Sequence, residues 1–196
     1  MKCISQDFLD QAIRIIQQQI QTIKDELLHL DRDILFHQVN SKSWSIADCI
    51  EHLARYNDYY NLAMREAIQL SNIKQRGTST HYKPSFLGKF SVKVVAPNSG
   101  KTLKTQNFLN PHKVGSIRNN VISSYLEQQE EFLSIVKDAK STHLNKTKIR
   151  IEVMKLMRIN LGDTILFMYT HQARHLQQAL GILKNIPSLA NQVKIL

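Results

Sequence analysis

Cysteine, proline and glycine are all scarce in this chain: 196 residues hold two cysteines, four prolines and six glycines. Two cysteines, Cys3 and Cys49, are too few for a disulfide framework, so the fold must rest on its core, and a reducing cytosol suits them. No run approaches the roughly 18 apolar residues of a membrane span. The chain meets Asp7 and Asp10 early, with no signal-length apolar run behind Met1-Lys2. A cytoplasmic location with no membrane partner is therefore expected. What is abundant is apolar residue, at 42% of the chain, beside 21% charged residue. That is the balance of one packed globular domain spanning 1–196.

The formal net charge is +10, and its distribution matters more than its size. Between Asn72 and Gly115 there are eight Lys or Arg and no Asp or Glu, together with three of the four prolines. The helical pattern dissolves there, so 72–115 reads as a long basic insert, functional or mobile. Phe86, Phe90, Val92, Val94, Val95 and Phe108 in it predict that it packs on the rest of the chain.

Elsewhere the apolar residues recur at helical spacing. Ile13, Ile16, Ile20, Ile23, Leu27 and Leu30 predict a helix over 6–30. Ser45-Ile46-Ala47-Asp48 is a capping box that opens a second helix over 46–70. Ile46, Ile50, Leu53, Asn57, Tyr60 and Met64 line one stripe of it, and Cys49, His52, Tyr56, Tyr59 and Ala63 the next. A third helix is predicted over 117–138. Residues 141–147 read as a linker, and Lys148 to Val153 alternates as a short extended segment. Asp163 is read as the N-cap of a fourth helix that runs to about Asn185, with Pro187 as its stop. Four helices with little strand predict an all-α four-helix bundle, interrupted by the insert between its second and third helices.

The chemistry concentrates in histidine. His171-Gln172-Ala173-Arg174-His175 puts two imidazoles at i and i+4, on one helix face, where both can reach one ion. The glutamate of a zincin is missing, which argues against that kind of peptidase. The face continues through Phe167, Gln178 and Ile182, so it is not a solvated one. His52 is the best third candidate, because it flanks the buried stripe of another helix. His29 and His37 fall near the end of the first helix and its loop, His81 and His112 in the insert, and His143 in the linker. The competing reading is a trio of packed core histidines.

Ser43-Trp44-Ser45 before a helix bearing Glu51-His52-Leu53, and Gly162-Asp163 before a helix bearing His171-Gln172-Ala173-Arg174-His175, resemble the DinB/YfiT-like metalloenzymes over nearly the whole chain. The resemblance implies a four-helix bundle holding a divalent ion on His52, His171 and His175, with zinc or nickel expected. It also implies thiol-dependent chemistry, either transfer of a low-molecular-weight thiol to an electrophile or a thiol-assisted isomerisation, and a homodimer. Three neutral imidazoles would leave such an ion its full charge and an open position. Affinity should then fall below about pH 6, where free imidazole protonates. The substrate is expected to be a small molecule, with an anionic one favoured if the insert rims the site.

Two other readings compete. One is a metal-binding stress protein without turnover. The other is a binder of nucleic acid or an anionic surface through the insert; no nucleic-acid motif supports the first of these, and salt-dependent retention on DNA would test it. Around the site, Cys49 reads as packing and not as a ligand. Trp44 reads as a plug at the bundle end, and Gln178 as a group that could orient a ligand. Arg174 reads as a salt-bridging residue, with carboxylate binding as the alternative. Ser99-Gly100-Lys101-Thr102 is not a P-loop, because Val95 stands where the motif needs glycine.

Overall fold

A computed structural model describes residues 2–97, 99, 100 and 105–186. Lys101, Lys104 and Pro187 lie outside the described residues, and so does the expected helix stop. In chain order, β1 (Cys3–Ile4) leads into α1 (Ser5–Glu26), a one-turn α2 (Arg32–Leu35) and the long α3 (Ile46–Ile73). Then come β2 (His81–Tyr82), α4 (Phe86–Val95), a 3-10 turn at Asn107–Leu109 and α5 (Pro111–Val114). The chain continues through α6 (Val121–Asp138), the hairpin β3 (Lys148–Ile151) and β4 (Met154–Asn160), and α7 (Leu161–Lys184).

The four long helices are the expected bundle. Around it they run α1, α6, α3, α7, each packed on two neighbours. The helices that carry the histidines, α3 and α7, are therefore adjacent. Ile16, Ile23, Ile50, Met64, Phe132, Val136 and Ile165 are fully buried between them, each side chain worth about 1.5–3 kcal/mol of transfer free energy as an upper figure. No helix among the described residues is long and apolar enough to cross a membrane.

The structure corrects several element bounds. The first helix ends at Glu26 rather than at 30, where the Leu27 and Leu28 amides both turn to the Ile23 carbonyl at 3.0 Å. The third starts at Val121 rather than at 117, because the Arg118 amide donates to Glu51 Oε2 at 3.2 Å. The extended segment at 148 is one arm of an antiparallel hairpin, Ile149 opposite Ile159, both buried, with Arg150 opposite Arg158, both exposed. The insert is less irregular than its composition suggests: it contains the ten-residue α4, and β2 pairs antiparallel with β1.

Asp163 is not the N-cap of α7. Asn160 is, and its side chain accepts from the Asp163 amide at 2.7 Å. The Asp163 carboxylate instead reaches into the insert, accepting from Tyr82 Oη at 2.7 Å, Ser85 Oγ at 2.5 Å and the Ser85 amide. Ser85 is in turn the N-cap of α4. One fully buried carboxylate thus stands at the N-terminal ends of two helices, where hydrogen bonds and both helix dipoles offset its desolvation.

Candidate metal centre

The capping box at Ser45 forms as expected: Ser45 Oγ accepts from the Asp48 amide at 3.1 Å and Asp48 Oδ2 from the Ser45 amide at 2.9 Å. It starts α3 so that His52, two turns on, faces α7. There His171 and His175 stand one turn apart. The three Nε2 atoms converge, His52 to His171 at 3.4 Å and His175 to His171 at 3.1 Å. All three imidazoles are 9% exposed or less. Among the described residues they are a histidine trio that could hold a metal ion.

The tautomers of two of them are set from behind. His52 Nδ1–H donates to the Leu109 carbonyl at 2.8 Å, and His175 Nδ1–H to Gln178 Oε1 at 3.0 Å. Each then turns an Nε2 lone pair inward, which is how a histidine ligand is normally supported. The donor set fits a metal. Nitrogens at about 2.0–2.1 Å around a tetrahedral ion lie about 3.3 Å from one another, close to the 3.4 and 3.1 Å that separate His171 from its two partners, and all three ligand atoms lie within 4.8 Å of one another. In the ion-free protein, a His171 Nε2–H shared between the other two lone pairs would satisfy the same distances.

Burial, the largest cause in each case, drives all three imidazoles toward the neutral form that binds metal. It pushes His52 down to about 4 and His175 to about 3, and holds His171 well below the ordinary value. The nearby Arg174 charge pushes His171 and His175 further down. Onset of proton competition near pH 6, expected from free imidazole, is therefore too high for these groups.

The trio floors a cleft of about 290 Å3. Tyr56 and Arg174 line it, Val94 and Val95 of α4 wall it, and Thr105 and Val153 close its edges. The insert therefore does fold over the histidine end of the bundle. Arg174 Nη1 holds it there, donating to the Val94 carbonyl at 3.2 Å and Ser99 Oγ at 2.9 Å. Both contacts reach the insert, in addition to any salt bridge to a neighbouring helix of the kind expected for it. Burial raises the Tyr56 hydroxyl well above the usual phenol range, so it keeps its proton and can donate a hydrogen bond. Trp44 packs over the trio, 5.0 Å from the His52 ring and 5.6 Å from the His175 ring between centroids.

Neighbouring polar and thiol groups stand apart from the trio. Cys49 is fully buried in the core, its thiol pushed up by burial. Glu51, although next to His52, turns away to Arg118 Nε at 2.9 Å and Arg55 Nε at 3.0 Å. His112 bonds the buried Asp48 at 3.0 Å and pins α5 to the start of α3. Sequence reasoning missed Leu109, which acts through its backbone carbonyl and carries no side-chain signal. It also missed the reach of Asp163 into the insert.

A model of the DinB superfamily matches residues 9–179. No curated protein and no solved structure matches the chain. The matched span contains α3, the insert, the hairpin and all of α7 through His175, and with that coverage the chain belongs to the DinB superfamily.

Proposed function

We propose that this protein is a metal-dependent enzyme that holds one divalent ion, zinc or nickel, on His52, His171 and His175 and activates a thiol or water toward an electrophile. The observation that carries this reading is the convergence of three neutral Nε2 atoms, two of them fixed by Nδ1 hydrogen bonds to oxygen. Three neutral ligands leave an ion its full charge and an open position, and such an ion lowers the pKa of a bound thiol or water.

The chain's own residues supply the rest. Val94, Val95 and Val153 make an apolar wall that limits water. Tyr56, kept protonated by burial, can donate a hydrogen bond to an oxygen that gains negative charge. Arg174 gives the cleft a positive field, already felt by two of the histidines, which favours an anionic small molecule such as a carboxylate-bearing thiol. Thiol transfer fits these parts better than peptide hydrolysis, because no carboxylate lines the cleft among the described residues.

The test begins with the metal content of purified protein, expected at about one divalent ion per chain. The double variant His171→Ala/His175→Ala should lose the ion and keep most of its helicity. Nickel or cobalt should quench the fluorescence of Trp44, the one tryptophan in the chain, in the wild type and not in that variant. Full occupancy in the double variant would sink the ligand assignment. Loaded protein that consumes no thiol across a panel of electrophiles would leave a metal-binding protein without turnover.

A further inference from the structure

The bundle accounts for only one face of α4. Gly88, Val94 and Val95 are buried on its inner side against α7. On the outer side stand Phe86, Lys89, Phe90 and Lys93, spaced i, i+3, i+4 and i+7 along a single stripe. Phe86 is 88% exposed and Phe90 55%, and both lysines are exposed. Lys83, also exposed, precedes the helix. Water is a poor environment for two phenylalanine rings one turn apart, since their apolar area would gain about 25 cal/mol per Å2 on burial.

We propose that this stripe docks on the surface of an anionic lipid bilayer, with Phe86 and Phe90 as interfacial anchors and Lys83, Lys89 and Lys93 at the headgroups. Charge selects the occupant. From Asn72 to Gly115 the chain carries no acidic residue, so the complementary surface is negative. A second copy of the chain docked through this face across a two-fold axis would bring two faces of the same positive charge together. Single-stranded nucleic acid is held in grooves whose aromatic platforms stack successive bases, whereas this face is the convex side of one helix. A short helix with aromatics and lysines on one face suits the interfacial plane of a bilayer. The expectation of no membrane partner rested on the lack of a spanning segment, and a peripheral contact needs none. Because α4 also supplies Val94 and Val95 to the histidine cleft, docking would hold one wall of that cleft at the lipid surface.

The experiment is co-sedimentation of the full chain with vesicles of phosphatidylcholine containing about one-third phosphatidylglycerol, beside vesicles of phosphatidylcholine alone. The wild type should bind the anionic vesicles, release with salt, and ignore the neutral ones. Phe86→Ser/Phe90→Ser should lose binding with an unchanged melting curve, since neither ring is in the core. Lys89→Gln/Lys93→Gln should weaken it about 25-fold, about fivefold for each lysine. Equal binding to both kinds of vesicle would overturn the proposal, as would a phenylalanine variant that binds as the wild type does. Two further results would overturn it: a solution dimer that the phenylalanine variant dissociates while vesicles go unbound, or retention on single-stranded DNA with no vesicle binding.

Discussion

His52 Nδ1 and the carbonyl of Leu109 lie 2.8 Å apart, 57 residues distant in the chain. A backbone atom of the insert therefore fixes which nitrogen of an α3 histidine faces the site. The insert is part of the support of the centre, and not a solvated loop beside it.

Gln178 does for His175 what Leu109 does for His52, and it can be changed without disturbing the core, since it is exposed. Gln178→Ala should weaken metal binding about 10- to 100-fold, the usual effect of losing a ligand's outer hydrogen bond. Gln178→Glu, which keeps an acceptor, should retain it. Competition with a chromophoric chelator measures both, and unchanged affinity in the alanine variant would remove Gln178 from the site.

Acid should act in two separable ways. The folded values of His52 and His175, about 4 and about 3, lie below the ordinary 6.5. Between those limits an unfolded chain binds protons that the folded imidazoles refuse. The metal-free protein should therefore lose stability as pH falls below about 6.5, and go on losing it through about 4 and about 3 as His52 and then His175 take up protons. Urea midpoints between about pH 7 and about pH 4.5 test this. The slope should flatten in a His52→Gln/His171→Gln/His175→Gln variant, which separates it from titrating carboxylates. Bound ion, by contrast, should persist to about pH 5. Half loss of the ion already at about pH 6 would show that the imidazoles titrate like free histidine.

Gly88 sits against the Asp163 carboxylate, and a Cβ built at that glycine would stand inside it. Gly88→Ala should cost about 1–3 kcal/mol through forced displacement. In an Asp163→Ala background most of that cost should vanish, giving a coupling above about 0.5 kcal/mol in a double-mutant cycle. Strict additivity would show that the α4–α7 contact relaxes some other way.

Cys49 packs in the core and offers no atom to the trio. Cys49→Ala should keep the ion and cost about 1 kcal/mol for a small cavity. An ion lost in that variant would require a four-ligand site.

The bundle was legible because its signals are side-chain periodicities: the isoleucine ladder of α1, the capping box at Ser45, the HxxxH spacing in α7. The histidine trio was legible for the same reason, once His52 was read as flanking a buried stripe. The elements that were missed follow other rules. In α4 the large rings of Phe86 and Phe90 point outward while Gly88 lies inside, which blurs its amphipathic pattern, and Val92, Val94 and Val95 are weak helix formers. Strand β4 needs β3 as a partner, which local alternation does not reveal. Asp163 and Asn160 both suit an N-cap, and only the tertiary neighbours Tyr82 and Ser85 decide which of them serves.

His52 and His171 are 119 residues apart in the chain. An ion shared between them would act as a cross-link over a loop of that length. In the chain-entropy view such a closure restricts the denatured ensemble by about 5 kcal/mol. Chelation would then lower the melting temperature sharply while moving few native contacts, because the effect lies in the unfolded chain. The same separation delays the site in folding: α3 and α7 must meet before three nitrogens can converge, so ion uptake would report a completed bundle and not a nucleus.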